Sequence, residues 1–340
     1  RLFERSSVHI SLYFSAPASM EGVDVTGSRL LVTGGTGFLG HHLVPLLLRE
    51  GAAQVRVYCR SLAKARRVLP ASDRLDVFEG SLMSTASLAT AMEGMDAVLH
   101  LAGEVVHSRE GAAYSGTFQE ADHLVSSGEY ENEEPLPFPH SLFRTNILGA
   151  VLVVRAAGKA GVKRVLLAST SGVVACREAP GVAASLPRWL GGREMEEVPH
   201  DDSPYCLHIA KKWPYYLSKI RAEQLCQREG LALGVDVVFM RPSMMIGPGD
   251  ETGRALGTIS AFLAQELPVI PPGSISFVDV RDAAQGFVEG LRAARPYQGY
   301  ILAATNWPLS RFFQELELVS GVPAPRLAVP RGLEAAGVAG

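Results

Sequence analysis

A glycine-rich octapeptide is the feature that most constrains how this chain folds. Residues 33–40 read Thr-Gly-Gly-Thr-Gly-Phe-Leu-Gly, between an apolar run at Arg29–Thr33 and a helix-forming segment at Phe38–Arg49. Glycines at such a turn let the backbone approach a pyrophosphate, which free N–H groups and the helix dipole then stabilise. The loop therefore predicts a dinucleotide site formed by Gly34, Thr36, Gly37, Phe38, Leu39 and Gly40.

Short apolar runs alternate with longer helical segments beyond this loop, a pattern typical of βαβ units in a mostly parallel sheet. The runs are continuously apolar, which suits strands buried on both faces. A helix predicted at Asn146–Ala160 ends before Gly161, a residue suited to a helix C-cap. The strands predicted after the first are Gln54–Cys59, Arg74–Phe78, Asp96–Leu101 and Arg164–Ser169.

This order of elements predicts the α/β class, with a doubly wound parallel sheet of the Rossmann type and a small C-terminal substrate-binding lobe. We expect an extension at residues 1–26 and a dinucleotide-binding domain at 27–240. A polar, acid-bearing stretch at about 104–140 is predicted to be a surface insertion in that domain. Residues 241–340 are expected to form mainly the substrate-binding lobe, interleaved with the sheet.

Composition limits the classes of ligand and partner that the chain is expected to bind. The formal net charge of −3, from 32 Lys and Arg against 35 Asp and Glu, argues against nucleic-acid binding. We expect no membrane span, because the apolar runs are shorter than roughly 18 residues, and no metal, because the four cysteines are scattered. The sequence thus favours a small-molecule substrate and a cytoplasmic location, with a homodimer as an open alternative. Residues 1–26 are either a remnant of an organelle-targeting segment or an upstream extension.

The residues after the second predicted strand bear on the choice of dinucleotide. A protein that prefers NAD places Asp or Glu roughly 20 residues beyond the glycine loop, where the carboxylate accepts from the ribose 2′-hydroxyl. Here Arg60 stands at that point, followed by Ser61 and with Arg56 and Lys64 nearby. Because a guanidinium suits a 2′-phosphate, the sequence favours NADP(H) over NAD(H). The alternative is that Arg60 is only a solvated loop charge.

A tyrosine and a lysine four residues apart provide the candidate acid/base. Tyr215 and Lys219 follow Pro214 in a segment with helical propensity, so they share one helix face. An ammonium beside a phenol lowers the pKa of the phenol, which lets the tyrosine exchange a proton near neutral pH. Tyr216 is not suited to this role, since its partner four residues on is Ile220.

Hydroxyl side chains follow the fifth predicted strand, at the carboxyl edge where a doubly wound sheet binds its ligand. We select Ser171 to hold a substrate carbonyl beside Tyr215, and Ser169 and Thr170 stay open as alternatives. Some of these hydroxyls are expected to cap local backbone instead.

Together the motifs resemble the extended short-chain dehydrogenases/reductases, also described as the NAD-dependent epimerase/dehydratase family. The likeness is to the branch similar to dihydroflavonol reductases and 3β-hydroxysteroid dehydrogenases, and it spans about Arg29 to Pro330. Besides the motifs above, it rests on His100–Gly103, Asn146–Gly149, Arg241–Ser243, Gly247–Asp250 and Phe277–Ala283.

The resemblance implies roles for individual residues. Ser171 would polarise the carbonyl, Tyr215 would be the acid/base, and Lys219 would tune Tyr215 and bond the nicotinamide ribose. Asn146 would either support a proton relay or be structural. The chain carries Ser81 where relatives usually carry Asp against the adenine. The resemblance also places Ser81, Leu82, Leu101, Ala102, Gly103, Pro242 and Ser243 along the cofactor.

The sequence therefore predicts hydride transfer between the nicotinamide of NADP(H) and a carbonyl or secondary alcohol of a small, fairly apolar substrate. One alternative is an NAD-dependent nucleotide-sugar epimerase or dehydratase, against which Arg60 argues. The other is a non-catalytic NADP(H)-binding sensor or scaffold, against which the set Ser171, Tyr215 and Lys219 argues.

Overall fold

The computed structural model describes residues 22–105, 140–176, 199–210, 213–250, 254–270 and 273–327. The insertion predicted at about 104–140 lies almost entirely outside these ranges, as do residues 1–21 of the predicted extension.

Two sheets are built from the strands. They are β1 (Arg29–Thr33), β2 (Gln54–Cys59), β3 (Leu75–Glu79), β4 (Ala97–His100), β5 (Arg164–Ala168), β6 (Asp236–Pro242), β7 (Met244–Ile246), β8 (Ser274–Asp279), β9 (Gly299–Leu302) and β10 (Thr305–Pro308). The seven-stranded sheet has the order β3-β2-β1-β4-β5-β6-β9, and all its neighbouring strands are parallel. The order reverses between β1 and β4, which opens a crevice at their carboxyl ends.

Helices cover both faces of the large sheet, and others pack on the second sheet. They are α1 (Phe38–Arg49), α2 (Leu62–Val68), α3 (Thr85–Met92), α4 (His140–Phe143), α5 (Gly149–Lys159), α6 (Gly172–Ala175), α7 (Leu207–Ala210), α8 (Pro214–Leu233), α9 (Arg254–Leu263), α10 (Val280–Ala293) and α11 (Leu309–Ser320). Side chains of α3, α5 and α8 fill the core on one face, and those of α1 and α10 fill it on the other. The predicted doubly wound α/β fold is therefore confirmed.

The ends of the first five strands agree with the sequence prediction to within one residue, but one helix starts earlier than predicted. Helical backbone already begins at His140 and passes through a π-helical turn at Arg144–Leu148 before α5. Asn146, predicted to open the helix, lies inside that turn. Its side chain bonds other elements instead of capping, so the prediction of a helix start there is wrong. The predicted end is confirmed, since α5 stops at Lys159 and Gly161 has a φ of +73°.

The run Ser141–Lys159 has a length and a mean hydropathy, 1.2, that would suit a membrane span. However, 72% of this run is buried inside the protein, where it packs against α3 and α8. It is a core helix of the Rossmann domain.

The second sheet has the order β10-β8-β7 and packs with α9 and α11 around a separate aromatic core that includes Phe277 and Phe312. Beyond residue 240 the chain does not stay in this lobe, because β9 joins the large sheet and α10 packs on α1. At the other end, Val25 is fully buried in the Rossmann core. The fold thus includes residues that the sequence assigns to an extension at 1–26.

Candidate active site

The glycine loop connects β1 to α1 at the crevice. Gly34 has a φ of +71°, and a Cβ there would lie 2.5 Å from the Ala102 amide nitrogen. At Gly40 a Cβ would lie 2.5 Å from the backbone of Gly35, so glycine lets α1 start close against the loop. A side chain at Gly34 would push the loop away from the chain after β4, and one at Gly40 would push α1 away from the loop.

The first turn of α1 leaves amide groups available for an anion. Among the described residues, the N–H groups of Phe38 and Leu39 have no hydrogen-bond partner, whereas Gly37 N–H donates to Gly34 O at 3.0 Å. Unpaired N–H groups at a helix start, with the positive end of its dipole, suit a pyrophosphate. The described part of the loop therefore fits a dinucleotide.

A buried pair of side chains fastens the loop to the next strand. Thr33 Oγ1 lies 2.7 Å from His100 Nδ1 and also accepts from the Ala102 amide at 3.3 Å. This pair fixes Leu101 and Ala102 against the glycine loop, and Gly103 follows at the crevice. The structure thus brings together three of the predicted cofactor-lining residues and the loop.

Arg60 lies exposed between β2 and α2. Its guanidinium has no ion-pair or hydrogen-bond partner among the described residues. Of the other groups considered near the ribose, Arg56 binds Asp76 at 2.7 Å, and Ser61 Oγ accepts from the Lys64 amide at the start of α2. The Lys64 ammonium, like the Arg60 guanidinium, has no partner among the described residues. Both cations are therefore available to a ligand.

Ser81 and Leu82 follow β3 at the same edge of the sheet. Ser81 Oγ accepts from the Met83 amide at 3.2 Å, and Ser81 O accepts from the Tyr58 hydroxyl at 2.6 Å. Leu82 packs on the core beside Gly149. Their contacts with a cofactor stay predictions.

Lys219 is buried behind the crevice, with 7% of its surface exposed. Its Nζ donates to Ala168 O at 3.0 Å, at the end of β5. A Cβ on Gly103 would lie 3.1 Å from both Lys219 Nζ and Asn146 Oδ1, so β4, α8 and the π-helical turn meet at this point. Burial lowers the pKa of Lys219 to about 8, an effect that Glu223 partly opposes.

Asn146 is 2% exposed, and its side-chain amide forms three hydrogen bonds. Asn146 Oδ1 accepts from the Glu104 amide at 2.7 Å, and Nδ2 donates to Glu104 O at 2.8 Å and to Ser218 Oγ at 3.0 Å. Ser218 Oγ in turn donates to Tyr215 O at 2.7 Å. These bonds tie the helix of Tyr215 to the chain after β4, which favours the structural alternative for Asn146 over the proton relay.

Tyr215 and Tyr216 differ in their surroundings. The two rings lie 5.4 Å apart, and Tyr215 is half-buried one turn before Lys219 on α8. Tyr216 packs so closely against Gly172 that a Cβ there would clash with its ring. Burial raises the pKa of Tyr216, the opposite of what an acid/base near neutral pH needs. This contrast agrees with the choice of Tyr215.

The predicted hydroxyls follow β5 directly. Ser171 is half-buried, and its Oγ has no hydrogen-bond partner among the described residues, whereas Thr170 Oγ1 accepts from the Gly172 amide at 3.3 Å. Ser169 Oγ is buried and likewise without a partner there. Ser171 N donates to Pro242 O at 3.0 Å, so the serine segment is fixed to the end of β6.

Ser243 follows Pro242 at that end of β6 and is 7% exposed. Within the described ranges its Oγ has no hydrogen-bond partner. A buried hydroxyl without a partner costs free energy, so this side chain fits a position that a cofactor would complete.

Sequence reasoning missed three residues of this region: Glu104, Ser218 and Glu223. Glu104 and Ser218 complete the bonds of Asn146. Glu223 is fully buried and forms an ion pair with Arg241, with a shortest distance of 2.7 Å. The spacing of Glu223, eight residues after Tyr215 and four after Lys219, was the available signal for the last of these.

The crevice is distinct from a depression of about 270 Å³ at the opposite, amino edge of the sheet. Asp96 and Arg164, at the amino ends of β4 and β5, line that depression. The candidate site is therefore identified by the side chains that meet at the carboxyl edge of the sheet, and not by this depression.

A family model for NAD(P)H-binding proteins matches residues 34–265, which contain the glycine loop, Ser171, Tyr215 and Lys219. The chain belongs to this NAD(P)H-binding family. Its relatives and its fold place it among the extended short-chain dehydrogenases/reductases, as the resemblance predicts. The protein is thus an NAD(P)-dependent oxidoreductase by family.

Two curated relatives cover most of the chain. A putative dihydroflavonol 4-reductase of Synechocystis sp. is 27% identical over 306 residues, which make up 88% of this chain and 74% of the relative. Cinnamoyl-CoA reductase 2 of Arabidopsis thaliana is 26% identical over 308 residues, covering 86% of this chain and 80% of the relative.

Solved structures share the fold. The Bordetella bronchiseptica enzyme WbmG, crystallised in complex with NAD, superposes with a TM-score of 0.61 and 22% identity. The match covers 89% of this chain and 81% of that chain.

Proposed function

We propose that this protein is an NADP(H)-dependent oxidoreductase that transfers a hydride between the nicotinamide and a carbonyl or secondary alcohol of a small, fairly apolar substrate. The observation that carries the proposal is the set of groups at one crevice: the glycine loop, buried Lys219, Tyr215 one turn before it, and the Ser171 hydroxyl. The named reductases among the relatives support the same reaction class.

A nicotinamide, when bound, supplies or accepts the hydride. The N–H groups of Phe38 and Leu39 would hold the pyrophosphate, and Pro242 and Ser243 would line the nicotinamide end. Within the described residues Lys219 Nζ donates one hydrogen bond, to Ala168 O, and its other two N–H groups would serve the ribose and Tyr215.

In this proposal Tyr215 gives a proton to the substrate oxygen during reduction and takes it back during oxidation. The Lys219 ammonium makes this exchange possible near neutral pH, because a nearby positive charge favours the phenolate. Ser171 holds the oxygen, since its hydroxyl is available and its backbone is fixed to β6. Ser169 and Thr170 remain alternatives for this role.

Arg60 supports NADP(H) as the cofactor. The exposed guanidinium stands at the end of β2 without a partner among the described residues, and it would pair with a 2′-phosphate. Apolar side chains support a fairly apolar substrate: Trp213 lies 6.4 Å from the Tyr216 ring, Met244 follows Ser243, and both are partly exposed.

The second candidate is an NAD-dependent epimerase or dehydratase of nucleotide sugars. The similarity to structures solved with NAD favours it, because those proteins share the fold. The nucleotide retained after purification separates the two functions. Tightly held NAD would support the epimerase and count against our proposal.

The proposed reaction is tested by following NADPH and NADH consumption across a panel of flavonoid, steroid, terpenoid and simple carbonyl substrates. We expect Tyr215→Phe to lower kcat by roughly 10²–10⁴-fold, because the acid/base is lost. NADPH binding should stay nearly unchanged. Tyr216→Phe is the matched control, and equal turnover in wild type and Tyr215→Phe would overturn the assignment.

A further inference from the structure

A buried carboxylate lies directly behind the candidate catalytic pair. Tyr215, Lys219 and Glu223 follow one another at intervals of four residues on α8, so they form one row along the helix. Glu223 is fully buried and Lys219 is 7% exposed. A carboxyl group and an amine thus lie one helical turn apart, shielded from water.

Arg241 holds this carboxylate from the neighbouring strand. Arg241 Nε donates to Glu223 Oε1 at 3.1 Å, and Nη2 donates to Oε2 at 2.7 Å. The Tyr205 hydroxyl adds a third bond to Oε2, at 2.9 Å. Arg241 Nη1 donates to Asp201 O at 2.9 Å, which fixes the guanidinium in turn. The carboxylate is therefore held in one orientation.

This arrangement joins two parts of the candidate site. Arg241 directly precedes Pro242 and Ser243 at the nicotinamide end of β6, while Glu223 belongs to the helix of Tyr215. Burying two charges is costly, and an apolar pair of the same size often stabilises a protein at least as well. Stability alone is therefore a weak reason for this pair, and its position beside Lys219 suggests another.

Other groups around Lys219 carry little charge in the neutral range. His100 on β4 has a pKa of about 3, lowered mainly by burial, and is neutral. Cys226, on the same helix, has its pKa raised by burial and is also neutral. The charged groups near Lys219 in the described structure are Glu223 and, beyond it, Arg241.

We propose that Glu223 is a positioning residue, which acts through Lys219: held by Arg241, its carboxylate keeps the buried ammonium charged and aligned with Tyr215. The proposal rests on the proposed oxidoreductase function for its catalytic consequence. Its electrostatic part concerns Lys219 itself and is measurable without turnover.

The two partners should act on Lys219 with opposite signs. Glu223→Gln removes the nearest negative charge and leaves the Arg241 cation, so the pKa of Lys219 should fall by about one unit below its wild-type value. Arg241→Gln leaves the carboxylate without its counter-ion, so the pKa of Lys219 should rise. Glu223→Asp keeps the charge and should stay closer to wild type than Glu223→Gln.

The pKa of Lys219 can be read directly by NMR on protein labelled at the lysine ¹³Cε. The chain has six lysines, and the Lys219 signal is assigned with Lys219→Met. Glu229→Gln is the matched control, because Glu229 lies on the same helix and pairs with Arg155 through two bonds of 3.0 Å. It should leave the pKa of Lys219 unchanged.

Kinetics then tests the link to catalysis. The alkaline limb of the pH profile of kcat should move to lower pH in Glu223→Gln and stay in place in Glu229→Gln. A purely structural Glu223 would instead lower kcat by the same factor at every pH, with the Lys219 pKa unmoved, and that result would overturn the proposal. A shifted Lys219 pKa in a protein without turnover would contradict the proposed function and leave the electrostatic role supported.

Each single variant, Glu223→Gln and Arg241→Gln, leaves a buried charge unpaired and is at risk of not folding. The double variant Glu223→Gln with Arg241→Gln removes both charges and keeps hydrogen-bonding groups in place. Its Lys219 pKa should fall by less than in Glu223→Gln. A pKa equal to that of the wild type in the double variant, with an increase in Arg241→Gln absent, would also overturn the proposal.

Discussion

At the scale of single residues, the three hydroxyls after β5 are chemically similar but differ in exposure and in their hydrogen bonds to the backbone. Ser169 is 5% exposed, which makes it the least accessible to a substrate. Thr170 Oγ1 accepts from the Gly172 amide, yet an accepting hydroxyl still has its own proton to donate. Ser171 is half-buried and without a partner among the described residues. Ser171 is therefore the best candidate, and Thr170 is its closest competitor.

Alanine at Ser171 should lower kcat by roughly 10²–10³-fold, because a hydrogen bond to the developing oxyanion is lost. Thr170→Val keeps the shape of the side chain and should change kcat only a few-fold. Steady-state kinetics with saturating NADPH gives both values. The reverse ranking of the two variants would transfer the role to Thr170.

Arg60→Asp should reverse the cofactor preference, because it replaces a partner of the 2′-phosphate with a group that repels it. A charge-assisted hydrogen bond contributes about 1.5–3 kcal/mol, so kcat/KM for NADPH should fall by roughly 10–100-fold or more. The value for NADH should rise or stay constant. Arg66→Asp, an equal charge change on the exposed face of α2, is the control. Equal losses in the two variants would indicate a general electrostatic effect.

At the scale of elements, the site depends on bonds that connect the ends of strands to helices. Asn146 joins the π-helical turn to Glu104 after β4 and to Ser218 on α8. Ser218 Oγ also donates to Tyr215 O, so the position of α8, which carries Tyr215, depends on a polar contact inside the core. Such a network stabilises only when all its members are satisfied.

Ser218→Ala should destabilise the fold by about 1–3 kcal/mol, because it leaves a buried N–H of Asn146 without an acceptor. Urea unfolding measures the free energy, and Thr90→Ala on the exposed side of α3 is the control, expected within about 0.5 kcal/mol of wild type. Equal stabilities of the two variants would show that the network contributes little.

Sequence reasoning predicted the elements well where periodicity and glycines determine them, as at β1, the loop and α1. It misplaced the helix start at Asn146, because an asparagine suits a helix cap as well as a buried network, and only the fold brings Glu104 and Ser218 to it. For the same reason the ion pair of Glu223 with Arg241 could not be predicted: the partners lie on different elements. The roles of Tyr215, Lys219 and Ser171 remain predictions.

At the scale of the whole molecule, contacts distant in sequence fix the two lobes and the sheet edges. His42 Nε2 on α1 lies 2.8 Å from Pro248 O, which connects the Rossmann domain to the loop after β7. Arg292 on α10 binds Glu50 at 2.7 Å, next to the end of α1. Near the centre, His100 joins β4 to β1 through a hydrogen bond to Thr33. His100 is 2% exposed and lies near Lys219. The stability of the whole fold is therefore coupled to one buried imidazole.

Folding stability should decrease with acid because of His100. Burial, with a smaller contribution from Lys219, lowers its pKa in the folded protein to about 3, whereas an unfolded histidine has a pKa of about 6.5. His100 thus binds a proton in the unfolded chain but not in the folded protein. The contribution of His100 to folding stability is therefore present above pH 6.5 and is lost as the pH falls towards 3. Between pH 6.5 and pH 5 this loss should be about 2 kcal/mol. Lys219, with a pKa of about 8, stays protonated in both states below pH 6.5 and adds no pH dependence of stability there.

Urea unfolding at pH 6.5 and at pH 5 measures the loss of stability. His100→Asn can keep a hydrogen bond to Thr33 without titrating, so this variant should lose about 2 kcal/mol less than the wild type over the interval. Parallel pH dependences of the wild type and His100→Asn would show that His100 is protonated in the folded protein.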